Sequence, residues 1–103
     1  MQLDDERANA ILSVINNIPF GRLTTYGAVA ESAGFPGNAR LVGRILKNLP
    51  ENSSLPWFRV INAQGKISFP KNSIAYQRQI SALKNENHPS ALGKTHLLDK
   101  MWP

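Results

Sequence analysis

Basic side chains recur at helical spacing in the segment 38–48. Arg40, Arg44 and Lys47 share one face of a helix with Gly43. Cationic groups in such a row bind phosphates, so the chemistry that this face predicts is contact with a polyanion. The glycine costs a helix about 1 kcal/mol relative to alanine, but its missing side chain lets a partner approach closely. The pattern favours a recognition helix docked on DNA over its alternative, an ordinary solvated amphipathic helix.

A proline precedes two large aromatic side chains in the stretch 55–61. Pro56 fixes its own φ angle, and Trp57 and Phe58 follow it directly. A side chain at the exit of a proline turn is suited to pointing into a pocket, where an indole offers apolar area and a π face. The alternative for Trp57 is a tryptophan buried in the core.

Several kinds of catalytic and metal chemistry lack their residues in this sequence. The absence of cysteine excludes disulfides, Cys-based zinc sites and thiolate nucleophiles. The two histidines, His88 and His96, lie eight residues apart in a polar tail with no ligand cluster around them. No paired carboxylates mark a hydrolytic site. We therefore expect no metal site, no cofactor and no catalytic residue.

Length and charge bound the class of protein further. A chain of 103 residues has the size of one domain, with a core over about 4–86 and a C-terminal arm over 87–103. No apolar run approaches the roughly 20 residues of a membrane span, and the acidic N-terminus is unlike a signal peptide. We expect a cytoplasmic monomer without membrane contact. The net charge is +5, and residues 37–78 hold seven cations against one acid.

Helical periodicity places the basic face within a helix-turn-helix. The pattern predicts a first helix over 4–17, a second over 26–33 that Thr25 caps, and a third that Asn38 caps and that runs to about 48. The Gly-Phe-Pro-Gly sequence at 34–37 is typical of the tight turn between two such helices.

The second half of the sequence predicts a small β-hairpin and another helix. Phe58–Ile61 and Lys66–Phe69 alternate like strands on either side of four turn-prone residues. Ser73 is a suitable cap for a helix from Ile74 to about Glu86. The apolar residues of the tail predict an arm that packs back on the core: Leu92, Leu97, Leu98, Met101 and Trp102.

In this order, the motifs resemble the C-terminal, DNA-binding half of the O6-alkylguanine-DNA alkyltransferases. The resemblance covers about residues 11–86, and the ordered set is far more specific than any single motif. The matching segments are Ile18-Pro19-Phe20-Gly21, Thr25-Tyr26-Gly27, Ala39-Arg40-Leu41-Val42-Gly43 and Leu55-Pro56-Trp57-Phe58-Arg59-Val60.

The last of these motifs departs from the alkyltransferases at two positions. Their acceptor cysteine is replaced by Trp57, and the histidine after it by Phe58. A tryptophan there marks the alkyltransferase-like proteins, a non-enzymatic sister group that the chain resembles. Alkyl transfer needs a thiolate and a base that generates it. Both are missing, so the resemblance implies binding without catalysis.

The resemblance also implies a role for particular residues. Tyr26 would press on the phosphate beside the target nucleotide, and Arg40 would enter the base stack as the base leaves it; a core aromatic is the alternative for Tyr26. Glu86 matches a glutamate that orients the missing histidine, and we expect it to be only a surface residue. The implied lesion pocket is Trp57, Pro56, Val60 and Arg59, of which Arg59 is expected to act as a support, and the implied DNA contacts are Thr25, Ala39, Gly43, Arg44, Lys47 and Ala63.

The residues and the resemblance together predict a mainly α, winged helix-turn-helix-like DNA-binding domain. The expected function is a damage sensor that binds O6-alkylguanine in double-stranded DNA through the minor groove and flips the base into a Trp-lined pocket. Its implied partners are nucleotide excision repair proteins. A winged-helix regulator of unmodified DNA is the first alternative, and an enzyme with another chemistry, such as a hydrolase or glycosylase, is the second.

Overall fold

Three helices of the computed structural model build a helix-turn-helix on a shared apolar core. The structure describes residues 5–88, 95 and 97–103. Helix α1 spans Asp5–Asn16, α2 spans Tyr26–Ser32 and α3 spans Ala39–Lys47, within one or two residues of their predicted bounds. The turn between α2 and α3 has Gly34 at φ +90° and Gly37 at φ +86°, a region that favours glycine. The buried residues of this first cluster are Ile11, Ile15, Ile18, Val29, Ala30, Leu41, Val42, Leu46 and Val60.

One of the two predicted helix caps in this motif is present. The Thr25 hydroxyl accepts a hydrogen bond from the Ala28 amide at 3.1 Å, as expected at the start of α2. The prediction that Asn38 caps α3 is wrong, because its side chain has other partners. It donates to the Phe35 carbonyl at 3.0 Å and accepts from Arg7 at 3.4 Å.

The predicted β-hairpin is also wrong, and a parallel pair of short strands replaces it. Strand β1 (Thr24–Thr25) pairs with β2 (Val60–Ile61), with Thr24 opposite Val60. Phe58 and Arg59, which were expected to begin a strand, form a turn of 3-10 helix with Trp57 instead. The two strands are some 36 residues apart in the sequence. The alternation of apolar and polar residues within each segment therefore does not show that they pair.

The chain does reverse after β2, as the turn-prone residues predicted. The Gly65 amide donates to the Asn62 carbonyl and the Asn62 amide to the Lys66 carbonyl, both at 2.9 Å. The Asn62 side chain also accepts from the Gln64 and Lys66 amides. The residues that follow pair no further with β2, so the turn directs 67–70 back across the molecule rather than into a hairpin.

Helix α4 (Ile74–Asn85) contacts β2 and the turn before it through the side chain of Gln79. The Ser73 hydroxyl accepts from the Tyr76 amide at 3.2 Å, so the predicted cap is present. Gln79, fully buried, donates from its side-chain amide to the carbonyls of Phe58 and Val60, each at 3.0 Å. These bonds satisfy two backbone oxygens, that of Val60 in β2 and that of Phe58 in the turn before it.

The described residues of the C-terminal arm pack back on the core, as the sequence predicted. Helix α5 (Leu97–Lys100) buries Leu97 in a second apolar cluster with Leu23, Ile61, Ile67, Tyr76 and Leu83. The Leu23 amide donates to the Lys100 carbonyl at 2.9 Å, and the Trp102 amide donates to the Leu23 carbonyl at 2.8 Å. Of the other residues predicted for the arm, Leu92 and the side chain of Leu98 lie outside the described part of the chain.

Two features that the described part of the chain lacks bear on function. Within it, none of the helices has the length and apolar character needed to cross a bilayer. Across the same residues, His, Asp and Glu side chains form no group of three or more that could hold a metal ion.

Candidate functional site

Helix α3 exposes its basic face and buries the opposite one. Arg40, Arg44 and Lys47 are exposed, while Leu41 and Val42 lie in the first apolar cluster. This division is the one that the 3.6-residue period of the sequence predicts. Three cations therefore stand in a row of about 10 Å on one side of the domain, given the rise of about 1.5 Å per residue.

The glycine in the middle of this face lies against Tyr26. A Cβ atom built on Gly43 would stand 4.0 Å from Cδ1 of the Tyr26 ring, which is an ordinary van der Waals contact. Packing within the protein therefore does not require glycine here. The missing side chain of Gly43 instead leaves open space at the surface, between α3 and Tyr26.

A cavity of about 410 Å³, which we call the α3 cavity, occupies that space. Its volume lies in the range of sites that bind small molecules. Helix α3 forms one wall, Tyr26 another, and the segment after the Asn62–Lys66 turn closes the far side. The lining residues are Tyr26, Ala39, Arg40, Gly43, Lys47, Ser68, Phe69 and Pro70.

Tyr26 presents a neutral phenol to this cavity. Burial raises the pKa of Tyr26 above its ordinary value, and a hydrogen bond with Ser68 acts in the opposite direction. The net shift is upward, so the hydroxyl keeps its proton at neutral pH. A neutral phenol can donate a hydrogen bond to an anionic oxygen such as that of a phosphate.

Trp57 lines a second, smaller cavity, which we call the Trp57 cavity. Its volume is about 240 Å³, and Lys47 and Phe69 line both cavities. The indole is half-buried and meets the Phe58 and Phe69 rings edge-on, with centroids 6.0 and 5.9 Å away. The alternative of a tryptophan sealed in the core is therefore wrong.

The other three residues of the predicted pocket do not line either cavity. Val60 is only 1 % exposed, because β2 runs through the first apolar cluster. Pro56 precedes the 3-10 turn and Arg59 is its last residue, and both are absent from the two linings. Of the four, only Trp57 lines one of these two cavities. Pro56 and Val60, which were predicted as pocket walls, line neither, whereas Arg59 was expected to act as a support rather than a wall.

Arg59 instead forms a buried ion pair with Glu86, which the sequence analysis wrongly placed at the surface. Glu86 is 7 % exposed and accepts from Arg59 Nε at 2.9 and 3.1 Å, from Nη2 of the same group, and from the Gly21 amide at 3.0 Å. Arg59 Nη1 donates to the Ile18 carbonyl at 2.8 Å. The signal that could have found this pair was the match of Glu86 to a buried family glutamate.

The surroundings of Glu86 favour the ionised form of its carboxyl group. Burial raises the pKa of Glu86, but hydrogen bonds from Arg59 and the Gly21 amide, together with the electrostatic effects of Arg59 and His88, lower it further than burial raises it. Its pKa therefore lies below the ordinary value. The Arg59 guanidinium also lies 5.3 Å from the Phe58 ring centroid and 5.7 Å from that of Phe20.

The remaining predicted DNA contacts are dispersed. Ala39 lines the α3 cavity, and Ala63 is exposed in the Asn62–Lys66 turn. The Thr25 hydroxyl oxygen accepts from the Ala28 amide as the cap of α2, and its O–H remains able to donate to a phosphate oxygen.

Comparisons with known proteins agree on one family. Residues 6–88 match the family model described as the DNA-binding domain of 6-O-methylguanine DNA methyltransferase. A DNA base-flipping protein of Vibrio parahaemolyticus is 50 % identical over 93 residues, which cover 89 % of this chain and 91 % of that protein. Alkyltransferase-like protein 1 of Schizosaccharomyces pombe is 37 % identical over 103 residues and 95 % of each chain.

A solved structure matches the whole fold. The crystal structure of S. pombe Atl1 in complex with damaged DNA containing O6-carboxymethylguanine superposes with a TM-score of 0.85 at 34 % identity. The match covers 100 % of this chain and 99 % of that one. The mainly α, helix-turn-helix-like fold class is confirmed.

Proposed function

The chain belongs to the family of the 6-O-methylguanine DNA methyltransferase DNA-binding domain, and on that premise we propose that it is a non-enzymatic sensor of DNA damage. It binds O6-alkylguanine in double-stranded DNA, rotates the base out of the helix and holds it without chemistry. The observation that carries the proposal is the position of the α3 cavity. It lies between the basic face of α3 and Tyr26, and it adjoins the cavity that Trp57 lines.

The cationic face supplies the affinity for duplex DNA. Arg44 and Lys47 are exposed on the same side as Arg40, where each can neutralise a phosphate and release its counterion. Gly43 has no side chain and Ala39 only a methyl group. At these two positions the helix backbone can therefore approach the floor of the minor groove.

Two side chains at the mouth of the α3 cavity carry out the rotation of the base. The neutral phenol of Tyr26 donates to the phosphate beside the target nucleotide and holds it in the turned position. Arg40, exposed in the first turn of α3, enters the stack and replaces the departing base with a planar cation. The flipped base then occupies the α3 cavity.

The chain holds the base and does not repair it. It contains no cysteine, and the position of the alkyltransferase nucleophile is filled by Trp57. The next residue, Phe58, has no nitrogen that could accept a proton. Relatives that are similar in sequence over most of their length are named for base flipping or as an alkyltransferase-like protein, which supports binding without transfer.

Because binding alone does not restore guanine, another system has to act on the complex. We propose that proteins of nucleotide excision repair are this partner, as the family resemblance implies. The proposal includes a monomer that works in the cytoplasm, on the DNA of the bacterial nucleoid.

Base rotation can be tested with a fluorescent cytosine analogue placed opposite the lesion. Pyrrolo-dC brightens when it loses its pairing and stacking partner, so adding the protein should raise its emission in a duplex with O6-methylguanine. The Arg40→Ala variant should give a smaller rise at saturation. Mass spectrometry of the recovered strand should find the methyl group still on the DNA. An unchanged emission, or a demethylated strand, would refute the proposal.

A further inference from the structure

The C-terminal arm pairs with the residue that leads into β1. Leu23 forms a parallel bridge with Met101. The Leu23 amide donates to the Lys100 carbonyl at 2.9 Å, and the Leu23 carbonyl accepts from the Trp102 amide at 2.8 Å. Tyr26 follows three residues later as the first residue of α2. The arm therefore holds the backbone that brings Tyr26 to the α3 cavity.

The same arm also holds the Asn62–Lys66 turn. The amide and the hydroxyl of Thr95 both donate to the Gly65 carbonyl, at 2.8 and 2.7 Å. Gly65 has a φ of +77°, and a Cβ atom built on it would lie 3.4 Å from Cβ of Leu97, so the turn and the arm pack closely. The residues that follow this turn, 68–70, form the wall of the α3 cavity that faces helix α3.

Side chains of the arm contact both apolar clusters. Trp102 packs against the first cluster, which is the core of the helix-turn-helix. Leu97 is 9 % exposed and belongs to the second cluster, against which Met101 also packs. The arm therefore joins the two clusters as well as the two backbone segments.

We propose that the C-terminal arm is a positioning element for base flipping, because it fixes two walls of the α3 cavity relative to each other. Tyr26 is held through Leu23. The opposite wall, 68–70, is held through Gly65. The inference rests on the proposed function, which assigns the α3 cavity to the flipped base. It adds to the residues on which flipping depends three that line neither cavity: Thr95, Met101 and Trp102.

The physical reason is preorganisation of the cavity. Segments that are already ordered in the free protein lose little further freedom when the base enters, so more of the contact energy appears as affinity. If the arm is loosened, the two walls take up other separations, and the affinity for the lesion falls with the fraction of molecules in which the cavity is formed. The exposed cations of α3 meet phosphates whatever the width of the cavity, so the affinity for unmodified DNA should not fall with it.

The test loosens each end of the arm in the full chain. Trp102→Ala removes the indole that packs on the first cluster next to the Leu23 bridge. Thr95→Val removes the hydroxyl that donates to Gly65 and keeps the shape of the side chain. Anisotropy titrations give the dissociation constants for a duplex with O6-methylguanine and for the unmodified duplex, and pyrrolo-dC emission at saturation reports base rotation.

Both variants should lose lesion preference and keep plain DNA binding. We expect the ratio of the two dissociation constants to shrink about three- to tenfold in Trp102→Ala. In Thr95→Val, which loses one hydrogen bond, it should shrink about two- to threefold. Emission at saturation should be lower in both, and the affinity for the unmodified duplex should stay within about twofold.

Two controls separate positioning from a general loss of stability. Val14→Ala truncates another half-buried residue of the first cluster, which is carried by α1 and lines neither cavity. It should lower the melting temperature and leave the lesion preference unchanged. Trp102→Phe, which keeps an aromatic ring at the end of the arm, should retain most of the preference.

The outcomes separate the role of the arm from the function on which it rests. The arm has no positioning role if Trp102→Ala and Thr95→Val leave the preference and the emission unchanged, if both duplexes lose affinity equally, or if Val14→Ala lowers the preference as much. If circular dichroism shows that Trp102→Ala is unfolded, Thr95→Val decides. When the unmodified protein prefers the lesion duplex, the proposed function stands in all these cases. When it has no preference, the proposed function fails and the role of the arm fails with it.

Discussion

The guanidinium of Arg59 donates to both carboxylate oxygens of Glu86, 27 residues away in the sequence. Through this pair the 3-10 turn that carries Trp57 is tied to the end of α4. Glu86 also accepts from the Gly21 amide, and Arg59 donates to the Ile18 carbonyl, so the turn after α1 belongs to the same network. In this chain the buried Glu86 therefore holds the 3-10 turn that carries Trp57, and it does so through Arg59 and not through a histidine.

Removing the acid should destabilise the domain in a pH-dependent way. Breaking a largely buried pair leaves an uncompensated charge, so we expect Glu86→Gln to lower the free energy of unfolding at pH 7 by about 2–4 kcal/mol. The pKa of Glu86 is lowered in the folded state, so its stabilisation is fully present above the unfolded pKa and is lost as pH falls through the folded one. Urea unfolding of both proteins at pH 7 and pH 3 measures the difference, which should narrow in acid. A difference that is constant with pH would contradict this role.

Arg40 should matter more for binding than a cation elsewhere on the surface. Arg40→Ala removes the side chain that we propose enters the stack, and we expect the affinity for lesion DNA to fall about tenfold or more. Lys100→Ala, an exposed cation of α5, should cost about twofold or less because salt screens it. Fluorescence anisotropy at physiological salt compares the two, and similar losses would argue against an arginine that replaces the base.

Gly43→Ala should separate stability from binding. The added Cβ stands 4.0 Å from Tyr26, and alanine is the better helix former by about 1 kcal/mol, so the melting temperature should stay constant or rise. The same methyl group narrows the α3 cavity and keeps the helix from the groove, so lesion affinity should fall. Ser81→Ala, an exposed position of α4, is the control in which neither quantity changes greatly. A variant that is both stable and fully active in binding would show that the glycine has no role at the interface.

Restoring a sulfur atom should not restore chemistry. Trp57→Cys places a thiol on the 3-10 turn, but Phe58 cannot remove its proton and Arg59 is held by Glu86. Intact-mass spectrometry after incubation with O6-methylguanine DNA should find almost no methylated protein. Rapid methylation of this single variant would show that another group in the pocket serves as the base.

The sequence predicted what depends on neighbours along the chain. The two faces of α3, the Thr25 cap and the Ser73 cap are set within four residues, and all are present. The position of Trp57 beside a cavity followed from the proline turn and the family motif together.

What the sequence did not predict depends on residues far apart in the chain. The β1–β2 pair, the Gln79 bonds to the carbonyls of 58 and 60, and the Arg59–Glu86 pair join segments about 20 to 36 residues apart. Alternation in 58–61 looked like half of a hairpin because periodicity records which residues are apolar and not which strand they pair with. Glu86 looked like a surface acid because its partner lies on another element.

The most direct test is a titration of one labelled duplex with and without a single O6-methylguanine, at about 150 mM salt. A protein that flips and holds the damaged base should bind the lesion duplex at least about tenfold more tightly, a difference of about 1.4 kcal/mol. A regulator that recognises unmodified sequence should not distinguish the two. Equal dissociation constants for the two duplexes would contradict the central claim that this domain recognises alkylated guanine.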